Sequence, residues 1–271
     1  MVTNTPEPKR IGFLMHWIIQ ENIFKPENAR RLIEVLDRYA LPWTAVTIPR
    51  STFEIEPDIR PEGKVYVCGA VKMAEIARRQ GWAPGSFLND HFDFALWQEK
   101  LGDELLNHSV EIGKLGELSS PRWNPFFIRP AEDNKAFDGQ VMDAEHLDAF
   151  RRDPRNQSLL SLSVVVAPIR NILREQRLFV VGNKLVTGSV YKLGGKPYLS
   201  QMIEDDVLQY ARHIIQTWIP AESCVIDIAR VDEGLGDNLR VIEFNNINSS
   251  GFYAADVAKY VEAVELEYGD L

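Results

Sequence analysis

The stretch VIEFNNINSSGFY, residues 241–253, decides how this chain is read. Val241 to Phe244 form a strand-like run that carries one carboxylate, Glu243, and then meets Asn245, Asn246 and Asn248. An unpaired carboxylate inside a buried strand is costly, so Glu243 needs a reason to be there. A metal ion, a salt bridge and a half-solvated sheet face are the three candidates.

Strand side chains alternate faces with period two. Glu243 and Asn245 therefore share one face, and Ile242 and Phe244 take the other. SCVIDIAR (223–230) and NLRVIEF (238–244) read as a hairpin, with Asp227 set between Ile226 and Ile228. A hairpin symmetric about Leu235 places Asp227 across from Glu243, so two acids and one amide oxygen meet on one patch. Like charges directly opposite each other destabilise a sheet. A hard divalent cation removes that penalty, and such oxygens are ligands Mg²⁺ takes when phosphates complete its shell. The competing reading sends the acids to solvent, or to Arg230 and Arg240.

Bases suited to phosphates lie upstream. EQRLFVVGNKLVTGSVYKL (175–193) is two β-rich runs split by Gly182-Asn183, a two-residue hairpin signal because glycine supplies φ > 0 at the first turn position. Such a turn pairs Arg177 with Gly188 and Glu175 with Val190, and puts Glu175 and Arg177 on one face with Lys192. Arg129 ends the strand-like PFFIR ahead of the polar loop PAEDNKAFDGQ, which holds Lys135. A strand-end base, a loop base and a hairpin base together suit a polyphosphate; singly, each reads as an ordinary solvated cation. LSVVVAPI (162–169) reads plainly as a core strand. Its second reading has backbone groups at Val165 and Ala167 meeting a flat heterocycle.

The rest of the chain bounds the class. Its 271 residues allow two domains, and 45% hydrophobic content fills a core. A net charge of −9 argues against general nucleic-acid binding. Cys68 and Cys224, the only cysteines, are too few for a disulfide framework or a thiolate zinc site, and read as buried apolar residues. MVTNTPEPKR lacks the apolar core of a signal peptide, and no apolar run is long enough to span a bilayer, so a soluble, cytoplasmic protein with no membrane partner is expected.

RIGFLMHWII, LPWTAVTIP and KVYVCGA read as strands. They alternate with an amphipathic helix over ENARRLIEVLDRYA (Leu32, Ile33, Leu36 and Tyr39 inward) and a second near VKMAEIARRQG that Gly81 ends. That order predicts a small α/β unit with a parallel sheet. WAPGSFLND reads as a connector, which sets domains of 1–92 and 93–271. The second is α+β and mostly antiparallel, with helices over IEDDVLQYARHIIQTWI and AADVAKYVEAVELEY.

Common catalytic signatures are missing. There is no G-x-x-x-x-G-K-[ST], H-E-x-x-H or G-x-S-x-G, and GLGDNL (234–239) fails G-x-G-x-x-G at its last position. Yet the order of features resembles the ATP-grasp superfamily: an α/β unit, a strand ending in a base and Pro, an apolar hinge strand, a Glu/Arg/Lys hairpin, then Asp and Glu-x-Asn on paired strands. The resemblance implies an ATP-grasp fold behind a small α/β pre-ATP-grasp domain, with ATP and Mg²⁺ (or Mn²⁺) as cofactors. It makes Asp227, Glu243 and Asn245 the metal ligands and Arg129, Arg177 and Lys192 the phosphate-facing catalytic bases. Lys135, Val165, Ala167, Glu175 and Asn246 complete the nucleotide site. Arg129 stands where the family usually has lysine, Lys192 substitutes for a second lysine as in a divergent clade, and the glycine-rich loop is reduced to AEDNKAFDG. The implied activity is an ATP-dependent carboxylate–amine ligase acting on small-molecule or peptide carboxylates and amines. A kinase-like phosphotransferase and an inactive nucleotide-binding module are the alternatives.

Overall fold

Short apolar runs build the first sheet. The computed structural model describes residues 15–23, 26–49, 52–87, 91–118, 121–131, 136–234 and 236–269. Within them β1 (His16–Gln20), α1 (Pro26–Arg38), β2 (Trp43–Val46), β3 (Val65–Cys68), α2 (Val71–Gln80) and β4 (Pro84–Gly85) form a parallel sheet of order β2-β1-β3-β4. All four residues of β3 are buried, as strands covered on both faces must be. Gly81 caps α2 in the left-handed conformation. Two expectations shift. The inward face of α1 is Leu32, Val35 and Leu36, while Tyr39 lies past the helix end and is exposed. WAPGSFLND is more than a connector, because Pro84 and Gly85 pair with β3.

A second sheet follows α3 (Phe94–Leu101). Strands β5 (Glu111–Lys114), β6 (Phe126–Pro130) and β7 (Gln140–Met142), helix α4 (Ala144–Arg152) and strand β8 (Ser163–Pro168) give an antiparallel sheet of order β5-β8-β6-β7. One face, with Phe126, Ile128, Val164 and Val166, packs against Leu147 of α4. The other carries Phe127 and Arg129.

The third sheet holds the decisive stretch. Strands β9 (Asn171–Val181), β10 (Lys184–Leu193) and β11 (Lys196–Ser200) precede α5 (Asp205–Thr217), and β12 (Cys224–Asp232) and β13 (Asp237–Asn245) precede α6 (Val257–Tyr268). Their order is β11-β10-β9-β12-β13, antiparallel throughout. Leu178, Val180, Cys224, Ile226 and Ile228 face α5 and α3. On the opposite face Phe179, Val181 and Val225 join the core of the first sheet and α6, and Ala229 and Val231 pack with Leu106. A polar island lies between those two apolar ends.

Both Gly182 and Asn183 have positive φ, 55° and 61°, the type I′ pattern whose twist matches the flanking strands. Irregularities then move the register. Arg177 pairs with Ser189 rather than Gly188, and Glu175 with Lys192 rather than Val190.

Candidate functional site

The polar island is a row across three strands. Arg177 on β9 pairs with Asp227 on β12, and Asp227 pairs with Glu243 on β13. The last alignment depends on one extra residue: register shifts between Asp227 and Ile228, so Glu243 instead of Ile242 comes opposite Asp227. A bulge re-aims side chains in this way. Asn245, opposite Val225, continues the same face.

Arg177 grips Asp227 in a two-pronged pair, Nε to Oδ1 at 2.9 Å and Nη2 to Oδ2 at 2.7 Å. Asn245 Nδ2 donates to Asp227 Oδ2 at 3.2 Å and to Glu243 Oε1 at 3.1 Å. Burial pushes the Asp227 carboxyl above its ordinary range against the opposing charge of Arg177, and Glu243 and Glu175 push it further up. For Arg177, burial works against the charge, but Asp227 outweighs it and holds the guanidinium firmly protonated. A desolvated, crowded set of acids beside one arginine favours any further cation.

One step along the sheet, Glu175 accepts from Tyr191 Oη at 2.8 Å and from Lys192 Nζ at 3.3 Å. Tyr191 stacks on Tyr253 with ring centroids 4.9 Å apart. Arg177 lies over both rings, 5.0 Å from Tyr253 and 5.8 Å from Tyr191. Burial raises the Tyr191 hydroxyl far above its usual range, so it stays a hydrogen-bond donor to Glu175.

A cavity of about 170 Å³ opens between the second and third sheets, lined by Phe127, Arg129, Pro168, Arg170, Ile242 and Glu243 among others. Arg129 lies over Phe94 at 5.0 Å and Trp97 at 5.9 Å, which fixes the plane of its guanidinium. An apolar floor with arginines and a carboxylate at its edges suits a ligand with a flat body and an anionic end.

A family model of the ATP-grasp domain, describing the second family of one clade, matches residues 105–263. The chain belongs to the ATP-grasp family. The crystal structure of the D-cycloserine synthetase DcsG matches with a TM-score of 0.63 at 12% identity, over 93% of this chain and 99% of that one. An ATP-grasp RimK domain protein from Sphaerobacter thermophilus DSM 20745 gives 0.61 at 14% identity, over 92% of this chain and 99% of that one. D-alanine–D-alanine ligase from Bacillus anthracis gives 0.60 at 10%, over 93% and 92%. At these identities the likeness is one of fold. A search of curated protein sequences finds no match.

In this ATP-grasp chain the residues expected at the site divide into groups. Arg177, Asp227, Glu243 and Asn245 are in direct contact or one contact apart, and Glu175 with Lys192 adjoins them. Arg129 stands on the other sheet, on the cavity wall that Glu243 also lines. Val165 is fully buried and pairs with strands on both sides, so its backbone serves the ladder. Ala167 lies past the last pair with β5, where the wall continues into Pro168, Ile169 and Arg170. Asn246 turns elsewhere: its amide nitrogen donates to the Phe87 carbonyl and its oxygen accepts from Asn248 N at 2.8 Å. Asn248 donates to Val67 O at 2.7 Å, so these amides staple the loop after β13 to the first sheet. Lys135 lies outside the described residues. Arg230 and Arg240 do not reach the site acids; they pair with Glu204 and Asp206, and with Glu233.

The donor set fits a hard cation. Two carboxylates and an amide offer oxygen ligands, although Asp227 shares its oxygens with Arg177 and Asn245. Among the described residues, no cluster of three or more histidine, cysteine, aspartate or glutamate side chains is suited to a metal; the third donor here is Asn245. Sequence reasoning missed Tyr191, Tyr253, Phe94 and Trp97. Only the adjacency of Tyr191 to Lys192 was there to signal any of them.

Proposed function

We propose that the protein is an ATP-dependent carboxylate–amine ligase with a nucleotide site between its second and third sheets. In this reading the γ-phosphoryl group of ATP passes to a substrate carboxylate. An amine then displaces phosphate from the acyl phosphate, leaving an amide, ADP and phosphate. The observation that carries it is the buried row Arg177–Asp227–Glu243, set on one wall of a cavity whose other wall presents Arg129. The family's ATP-dependent ligases supply the context, as do the ligase and synthetase named among the similar structures.

Asp227, Glu243 and Asn245 would hold Mg²⁺ or Mn²⁺, which when bound neutralises charge between phosphate oxygens. Arg129, Arg177 and Lys192 would orient the phosphates and offset the charge that builds on the transferred group. Glu175 keeps Lys192 beside Tyr191 through contacts of 3.2 and 3.3 Å. The flat body of the nucleotide would lie along Pro168–Arg170 and Ile242. We assign residues 1–92 to a pre-ATP-grasp unit and 93–271 to the ATP-grasp unit, with small-molecule or peptide carboxylates and amines as substrates.

The test has two parts. ATP with Mg²⁺ is expected to raise the melting temperature well beyond ATP with EDTA, since a ligand that binds only the native state stabilises it; equal shifts reject the metal ligands. A scan of carboxylate and amine pairs is expected to release ADP, phosphate and an amide. AMP with pyrophosphate, or a stable phosphorylated acceptor, rejects the ligase reading.

A further inference from the structure

We propose that Tyr253 is a positioning residue for Arg177, clamped by Arg31 of α1, so that a helix of the first sheet sets the aim of a base in the third. The proposal deepens the ligase reading and rests on it for the role of Arg177. Its starting point is backbone strain. Tyr253 has φ of 49°, in the left-handed region that residues with a Cβ avoid. Such a conformation persists only where the surroundings hold it.

The holding contacts come from two elements. Arg31 donates to the carbonyls of Tyr253 and, at 2.6 Å, of Ala255. On the sheet side, Ala254 N donates to Ser189 Oγ at 3.3 Å and Asp256 N to Thr187 Oγ1 at 3.0 Å. Core packing does not account for the strain, because Tyr253 is 37% exposed. What the conformation achieves is placement of the ring. It lies 5.0 Å from the guanidinium carbon of Arg177 and is nearly parallel to Tyr191, at 11°.

Arg177 is thereby held from three directions. Asp227 takes its Nε and Nη2, the Gly251 carbonyl accepts from Nη1 at 3.5 Å, and the Tyr253 ring covers one face. Aromatic faces favour a guanidinium stacked on them. Glycine at position 253 would relieve the backbone, so a strained tyrosine there is best explained by its ring.

The experiment follows the Nε–H resonance of Arg177 by ¹⁵N NMR, identified by its loss in Arg177→Lys. Tyr253→Gly keeps a backbone that tolerates φ > 0, with Tyr253→Asn as a second variant should the first fail to fold. The Arg177 Nε–H is expected to lose its ring-current shift and to exchange about 10-fold faster with solvent in either variant, because an uncovered hydrogen bond opens more often. Tyr253→Phe keeps the wild-type signal, and Arg31→Met moves it in the direction of Tyr253→Gly. In turnover, Tyr253→Gly is expected to lower kcat about 10-fold with KM for ATP nearly unchanged. In the Arg177→Lys background it adds nothing further. An Nε–H signal unchanged in Tyr253→Gly overturns the proposal, as does an equal loss of turnover in both backgrounds. Absence of ATP-dependent ADP release from the wild type rejects the ligase reading instead, and the NMR result still decides the clamp.

Discussion

Two arginine–carboxylate clusters lie on opposite faces of the third sheet, and they differ in what surrounds them. Arg230 binds Glu204 and Asp206 at 2.7 Å each, and both acids remain about half exposed, at 44% and 55%. They sit at the start of α5, where acids also favour the helix dipole. Arg177 and Asp227 are 12% and 2% exposed, with two more carboxylates nearby. Desolvating a pair so deeply costs more than its attraction commonly returns, and apolar replacements of such pairs are often as stable or more so. The exposed cluster needs only a structural explanation. The buried one sits at an energetic disadvantage that chemistry with a charged ligand explains.

The largest expected effect breaks the buried pair on one side. Arg177→Met leaves Asp227 charged and unpaired, at a cost of about 3–5 kcal/mol in denaturant unfolding. Arg177→Met combined with Asp227→Leu is expected to recover most of that stability while turnover stays lost. Full stability in the single variant would show that the Asp227 site is well solvated, and the contrast with Arg230 would fail.

Next comes Glu243→Gln, which keeps shape and one ligand oxygen but removes a charge. Turnover is expected to fall ~100-fold, about 2.7 kcal/mol of transition-state stabilisation, with the melting temperature held. Lower stability with intact turnover per folded molecule would make Glu243 a structural residue.

A third buried acid sharpens the comparison, because its partner is neutral. Glu265 on α6 is 1% exposed and accepts from Trp17 Nε1 at 2.5 Å. Burial raises its carboxyl against the favourable Trp17 bond. The folded state therefore holds this proton more tightly than the unfolded chain does. Its contribution to stability is complete below the unfolded value and is lost as pH rises through the raised folded value. Glu265→Gln is expected to remove that decline and stabilise the protein at neutral pH, read from melting temperatures across a pH series. An unchanged slope would show that the acid stays charged in the fold.

How much of this was legible differs from residue to residue. Period-two alternation placed Asp227 and Glu243 on facing strands, and the apolar runs of β1 and β3 gave the parallel sheet. The Asp227–Glu243 pairing comes from two offsets that cancel. Asp232 pairs with Asp237, so the hairpin is centred half a residue before Leu235, and the irregularity beyond Ile228 restores the register. Spacing cannot reveal a bulge, and on β10 similar irregularities shifted the expected partners of Arg177 and Glu175. The Arg177–Asp227 pair was hidden for another reason: β9 and β12 are neighbours only after β10, β11 and α5 intervene. Tyr253 reached Arg177 through a backbone conformation that no local pattern signals.

The smallest effect tests the exposed side. Arg230→Ala removes three hydrogen bonds to Glu204 and Asp206, yet water and salt replace most of the attraction at half-exposed acids. The expected loss is about 1 kcal/mol or less, and it shrinks further in high salt. The acid side supplies a sign. The Arg230 hydrogen bond holds the Asp206 carboxyl below its ordinary value, so this contribution is present above the unfolded value and fades as pH falls through the lowered one. Wild type and Arg230→Ala should therefore converge in stability under strongly acidic conditions and differ most near neutrality, with turnover per folded molecule unchanged throughout. A loss of several kcal/mol that ignores salt and pH would mean that the Arg230 cluster is as desolvated in effect as the Arg177 pair, and burial would no longer separate the two faces of the sheet.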